Sequence, residues 1–264
     1  MFNQETLQHG IEATNNLETI TLRNVSFPNA TQINYLVNNN YDLTKLVIDG
    51  LDVSKATNLK YFIPFNRKLE ALDLSSVKFT SDPVDLEYAL QYNSGVKTLN
   101  IGDLPLGNAI NINYTFGGYS NLESLELSDI EFKYLTSISG IFINSKIGTL
   151  TLRNLSFPLV TSFYSGSPNV QDFIVDGFEL PVMSKYDVFF MASCVNADIR
   201  NVYLPSYNSN NPIFINLRVS NNLNIDGLYL DSAVSGISLG YLSGKTIKLS
   251  NVYAPNMDSN NLLR

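Results

Sequence analysis

The sequence predicts a mainly β chain, a solenoid of about ten units of 23–27 residues whose strands form one parallel sheet. Three observations lead there. Four apolar columns recur along the chain at a nearly constant interval, each unit carries one short stretch in which apolar and polar residues alternate, and a turn-forming residue follows that stretch nearly every time. The plainest trace of the repetition is "TLRNVSFP" at 21–28, written again as "TLRNLSFP" at 151–158 in the same place of units one and six.

The anchor column reads Leu22, Ile48, Leu74, Ile101, Leu127, Leu152, Val175, Ile199, Ile225 and Leu249, at spacings of 26, 26, 27, 26, 25, 23, 24, 26 and 24. Two residues earlier lies a second column, Ile20, Leu46, Leu72, Leu99, Leu125, Leu150, Phe173, Ala197, Leu223 and Ile247. Three residues after the anchor comes a third, from Val25 and Leu51 to Leu228 and Val252, and two positions on a fourth runs from Phe27 to Leu230, ending with Ala254. A fixed period of this kind marks a repeat architecture, in which no unit buries its apolar face alone and stacked neighbours share a continuous core.

Unit one shows the strand. In "TITLR" at 19–23, Ile20 and Leu22 face inward while Thr19, Thr21 and Arg23 face outward, the period-2 pattern of a half-buried strand. One such strand is too little to stand by itself, but ten stacked about 4.8 Å apart make a sheet. The chain then corners at a turn-type residue: Asn24, Gly50, Ser76, Asp103, Asp129, Asn154, Gly177, Asn201, Gly227, Asn251. The return segments repeat an aromatic position, Tyr35, Phe62, Phe142, Phe163, Phe190, Phe214 and Tyr241, expected to plug the core from the far side. "DLEYALQY" at 85–92 is expected to make a helical turn, the other returns being irregular or 3₁₀-like. Residues 1–15 are expected to form an N-terminal flank or partial cap, and residues 16–264 a single solenoid. The stretch "NMDSNNLLR" at 256–264 follows the last strand so closely that another subunit, a partner or further sequence is expected to cover that end.

"NLESLELSDIEF" at 121–132 with "ISGIFINS" at 138–145, "LDVSKATNLKYFIPFN" at 51–66 and "KLEALDLSSVKF" at 68–79 resemble the BspA-like leucine-rich repeats of bacterial surface proteins, over residues 16–255. The resemblance implies a leucine-rich-repeat solenoid and a role in adhesion or recognition at a cell surface. "CVNADIRNVYLP" at 194–205 departs from the pattern by placing Cys194 and Ala197 at leucine positions. The alternative architecture is a right-handed parallel β-helix, which has similar coil lengths and uses asparagine ladders; the chain holds 33 asparagines.

Composition limits the function. With 44% hydrophobic and 16% charged residues among 264, the chain reads as folded and soluble. A net charge of −7 without any Lys/Arg cluster argues against a nucleic-acid partner. The longest apolar run, "VFFMA" at 188–192, falls far short of the roughly 20 residues a membrane helix needs, so no membrane insertion is expected. "MFNQETLQHG" has no basic region before an apolar stretch, so no signal peptide is expected; the cell-surface, extracellular or virion locations come from the resemblance. A lone cysteine rules out an internal disulfide framework and a Cys-rich zinc site, and no metal or cofactor is expected.

Catalytic chemistry finds little to work with. His9 is the only histidine and precedes the first repeat, where it reads as a solvated residue; Cys194 falls in an apolar column and reads as packing. "GDLPLG" at 102–107 and "FGGY" at 116–119 lack phosphate-loop spacing and read as turns. Asp172, Asp176 and Asp198 share one face, but no separate acid and base emerge, so the chain is expected not to be an enzyme, a polysaccharide-active β-helix remaining the minority alternative.

The outward columns are more informative. One residue after the anchor, Arg153, Asp176, Arg200 and Asp226 alternate in sign on successive strands, suited to an ion-pair ladder that pins the register or recognises a ligand. Four residues after the anchor, Tyr203, Tyr229 and Tyr253 replace the polar residues of earlier units, an amphipathic strip suited to a sugar face, to a protein partner or to stacking on itself. The expected function is a non-enzymatic recognition or adhesion module binding a protein or glycan on a cell surface. The alternative is a structural tail or fibre component of a virion that binds a receptor and self-associates through its C-terminal end.

Overall fold

The computed structural model describes residues 5–180, 190–204, 215–230 and 245–253. The chain is mainly β, the strand pairs with a defined register all run parallel, and no α-helix occurs among the described residues. No helix there is long and apolar enough to cross a membrane. Two compact units are present, residues 1–124 with 141–146, and residues 125–140 with 147–264, each a parallel β-solenoid.

In the first unit β1 (Thr6–Gln8), β2 (Ile11–Glu12), β3 (Thr19–Arg23), β4 (Gln32–Asn34), β5 (Val37–Asn38), β6 (Lys45–Asp49), β7 (Leu51–Asp52), β8 (Ala71–Asp73), β9 (Val77–Lys78), β10 (Val84–Asp85), β11 (Thr98–Asn100) and β12 (Ala109–Asn111) follow one another, with a 3₁₀ turn at Leu106–Asn108. The alternating stretches become β3, β6, β8 and β11. They pair in the register that the apolar columns require, Ile20 and Leu22 opposite Leu46 and Ile48, and Leu72 opposite Leu99. The mainly β parallel solenoid is as the sequence predicts. The return segments pair as well: β7 with β9, β1 with β4, β2 with β5 and β10 with β12, while single bridges join Gln32 to Asn58 and Asn58 to Asp85. The right-handed parallel β-helix alternative is consistent with these extra ladders. They were illegible because strands of two or three residues between turns are too short to show a period.

Three expectations about the returns and the start of the chain are refined by this pairing. "DLEYALQY" forms turns closed by local bonds from Ala89 N–H to Leu86 and from Gln91 N–H to Tyr88, at 3.0 and 3.2 Å, that do not extend into a helix, because the Leu86 and Tyr88 N–H groups bond to Asn111 and Asn113 of the next coil, at 2.9 and 3.0 Å. Phe62, Phe142 and Phe163 are buried plugs, but Tyr35 lies one position off that column and stays half-exposed; Phe214, Tyr241 and the Phe190 side chain lie outside the described residues. Residues 6–12 supply β1 and β2, which add to the ladders as a further part-coil.

Through this apolar interior runs a fully buried polar column, Asn40, Asn66 and Asn93. Asn66 Nδ2 donates to the carbonyls of Val37 at 2.9 Å and Pro64 at 3.0 Å, and its Oδ1 accepts from the backbone N–H of Asn40 at 3.2 Å. Asn93 repeats the arrangement one coil on, accepting from the Asn66 N–H at 2.9 Å. Each amide thus supplies partners to backbone groups that a tight bend has removed from the ladder, which makes burial of so polar a side chain affordable.

In the second unit the strands are β13 (Leu122–Glu131), β14 (Ser137–Ser139), β15 (Lys146–Ser156), β16 (Ser162–Tyr164), β17 (Asn169–Glu179), β18 (Phe190–Leu204), β19 (Ile215–Leu230) and β20 (Thr246–Tyr253). The sheet order is β13-β15-β17-β18-β19-β20, with β14 pairing β16. These strands are long because pairing continues straight through the predicted corner. Asp129, Asn154, Gly177, Asn201, Gly227 and Asn251 all take positive φ there, between 48° and 79°. Asparagine and glycine tolerate that left-handed conformation, so one residue per strand turns the direction without breaking the ladder. Phe132, Phe157 and Phe178 stack behind the corner at centroid distances of 4.6 and 4.9 Å. Cys194 and Ala197 are buried at their leucine positions, whereas Ile247 and Leu249 on β20 are exposed.

Candidate functional site

The predicted tyrosine strip forms. Glu179, Tyr203, Tyr229 and Tyr253 occupy successive register positions on β17, β18, β19 and β20, and the three tyrosines are 43%, 48% and 59% exposed. Period-2 alternation accounts for this, since Val202 and Leu204 on either side of Tyr203 point into the core.

The charged column is brought into register as predicted, Asp176 opposite Arg200 and Arg200 opposite Asp226, but the ion pairs run elsewhere. Arg200 grips Asp198, two residues back on its own strand, through Nε at 3.0 Å and Nη2 at 2.6 Å. Both carboxylate oxygens are then engaged by one planar fork. Arg153 pairs with Glu126 at 3.7 Å. Asp176 instead accepts from Asn201 Nδ2 at 2.8 Å, and Asp226 from Ser250 Oγ and Asn251 Nδ2 at 2.8 and 2.7 Å. The hydrogen bonds from Asn251 and Ser250 hold the Asp226 carboxyl below its ordinary range. In the first unit the same column does make the cross-strand pair, Arg23 Nε to Asp49 Oδ2 at 3.0 Å.

The corner asparagines form a second device. Asn154 Nδ2 donates to Asp129 at 2.8 Å, while its Oδ1 overlies Gly177, where a Cβ would sit 2.6 Å away. The missing side chain at Gly177 lets Asn154 fold down over it, between the corner asparagines of the flanking strands. An open groove of about 540 Å³ lies there, lined by Asn154, Ser156, Gly177, Glu179, Asn201 and Tyr203 over a floor of buried Leu155 and Phe178.

A feature the sequence reading missed sits on the first unit. The rings of His9, Tyr35, Tyr61, Tyr88 and Tyr114 stack in one file at centroid distances of 5.1, 4.9, 4.7 and 4.8 Å. All five residues have positive φ, from 52° to 61°, which is rare for a tyrosine. Stacking worth about 0.5–1.5 kcal/mol per pair offsets that strain. The file presents ring edges outward and spends its faces on neighbours, so it reads as scaffold. His9, expected to be solvated, is exposed yet caps the file and contacts Glu12 through Nδ1. The signal was present as tyrosines spaced 26, 27 and 26 apart, hidden by aligning Tyr35 with Phe62. Beside the file Lys60 bridges Asp85 and Glu87 at 3.1 and 3.0 Å, chiefly a hydrogen bond to Glu87 holding its ammonium above the ordinary range.

The acidic trio is likewise bound up. Asp172 accepts from Asn196 Nδ2 at 2.7 Å and Asp198 from Asn224 Nδ2 at 2.8 Å as well as from Arg200. Burial pushes the Cys194 thiol up to about 12. Among the described residues no group of three His, Cys, Asp or Glu is placed to hold a metal ion. No family model, curated protein or solved structure matches the chain.

Proposed function

We propose that the protein is a non-enzymatic recognition module that engages a protein or glycan on a cell surface through the outer face of β18, β19 and β20. The observation that carries this reading is the row of three in-register, exposed tyrosines. Aromatic side chains with a polar tip offer a sugar or a protein large contact area at low conformational cost. Nothing in the fold of those strands needs them outside, since the same column holds serine, aspartate, lysine and glutamate elsewhere. The BspA-like resemblance supports the same reading. The test is attachment of the purified protein to a glycan array and to intact bacterial and animal cells, with Tyr203, Tyr229 and Tyr253 all replaced by alanine. Attachment abolished with an unchanged circular dichroism spectrum is expected; unchanged attachment refutes the strip.

A virion component that assembles through its C-terminal end is the second reading, favoured by the exposure of Ile247 and Leu249, apolar core-column residues on β20. Light scattering across a concentration series tests it. A stable oligomer that Leu249→Lys dissociates supports assembly, and a monomer at every concentration excludes it.

A further inference from the structure

The groove beside Tyr203 is a built hollow. Its middle rung is Gly177, held at a φ of +70°, and a side chain there would run into Asn154. Its outer wall is the column Ser156, Glu179, Tyr203 on three successive strands, and among the described residues none of these three side chains has a hydrogen-bond partner. The inner wall is already committed on one side only. Asn154 spends its Nδ2 on Asp129 and keeps its Oδ1 over Gly177 on the groove side, whereas Asn201 turns its Nδ2 to Asp176 and its Oδ1 to Gly227 on the next strand. Three rungs at about 4.8 Å and two residues along a strand at about 3.4 Å each give a trough roughly 10 by 7 Å, the size of one or two pyranose rings.

We propose that this groove takes a neutral pyranose, the sugar-contacting part of the recognition surface described above, a reading on which this inference rests. A hydroxyl, a carboxylate and the Asn154 amide oxygen facing one space match the donors of a sugar's hydroxyls, and a tyrosine ring at the rim matches its C–H face. Charge selects the class. Glu179 lines the wall, Asp129 and Asp176 stand at the corner, and the two cations of that column beside the groove, Arg153 and Arg200, are paired with Glu126 and Asp198. An acidic sugar would meet the Glu179 carboxylate, which has no cation paired to it among the described residues, whereas a neutral one gives Glu179 two hydroxyl donors in charge-assisted bonds.

Saturation-transfer NMR and calorimetry with the methyl glycosides of glucose, galactose and mannose, and with glucuronic acid, test the proposal on the full chain. At least one neutral glycoside binds, glucuronic acid does not, Glu179→Gln and Ser156→Ala each weaken binding, the former about tenfold, and Tyr134→Ala, at an exposed tyrosine that does not line the groove, leaves it unchanged. Glucuronic acid binding as well as the neutral sugars, indifference to Glu179→Gln, or no neutral glycoside bound at tens of millimolar overturns it. The two readings fail separately: attachment lost in the triple tyrosine variant with no sugar bound refutes the groove alone, and Glu179-dependent sugar binding with normal attachment of the triple variant refutes the strip alone.

Discussion

Replacing Asn66 by alanine should be among the most damaging single changes in the first unit, although the residue is polar and far from the proposed binding face. The side chain is fully buried, so water cannot replace what it loses. Three groups are orphaned: the Val37 carbonyl, 2.9 Å from Nδ2, and the backbone N–H and one side-chain N–H of Asn40, each 3.2 Å from Oδ1. The Asn66 N–H keeps its bond to Asn93, the other Asn40 side-chain N–H keeps Ile11, and the Pro64 carbonyl still accepts from the Asn39 N–H at 3.4 Å, so none of these adds to the loss. A buried unsatisfied group costs about 1–3 kcal/mol, and the lower half of that range for three groups gives about 3–6 kcal/mol. That is a large share of the 5–15 kcal/mol typical of a folded domain. Equilibrium urea unfolding followed by circular dichroism measures it, with Asn121→Ala as the control, because Asn121 donates one comparable bond, to Ser94 at 2.9 Å, in an exposed setting. The control should lose no more than about 1 kcal/mol. If the two variants unfold at the same urea concentration, the buried amides are not paying for the bend and the argument for the ladder is wrong.

Two further predictions concern the aromatic files. Gly118 has a φ of +79°, and a Cβ there would lie 2.2 Å from Tyr92 Cδ1, so Gly118→Ala should cost about 2 kcal/mol or more in thermal unfolding; Tyr92→Ala in the same background recovers part of the loss, since the strained φ remains. Burial is the first cause that raises the Tyr35, Tyr61 and Tyr88 phenols above their ordinary value. A folded-state pKa above the unfolded one means stability that is complete below about pH 10 and lost as pH rises through the folded value. Alkaline difference spectroscopy should therefore show these phenols ionising later than free tyrosine, and Tyr61→Phe should flatten the alkaline fall in stability; ionisation at the free value would refute their placement.

The candidate site was legible in outline. Alternation around Val202 and Leu204 put Tyr203 outside, and the repeat spacing put Tyr229 and Tyr253 beside it, because register follows from which residues must be buried. The partner of Arg200 was not legible: column alignment compares neighbouring strands, whereas Asp198 on the same strand presented both oxygens to the guanidinium. The groove also escaped, since it depends on how Asn154 folds over Gly177 beside Ser156, Glu179 and Tyr203, and no residue type carries a signal for that.

Sequence alone determined that the chain is a parallel solenoid, where its main strands lie and where it corners, because burial of apolar columns and the tolerance of asparagine and glycine for a left-handed turn act locally at every repeat. Tertiary structure decided which polar groups meet. Two or three residues of return strand, a buried file of asparagine amides, the stacked tyrosines and the sugar-sized trough all depend on contacts between residues 23–27 apart, and at that distance a shift of one position in alignment exchanges a core plug for a surface ring.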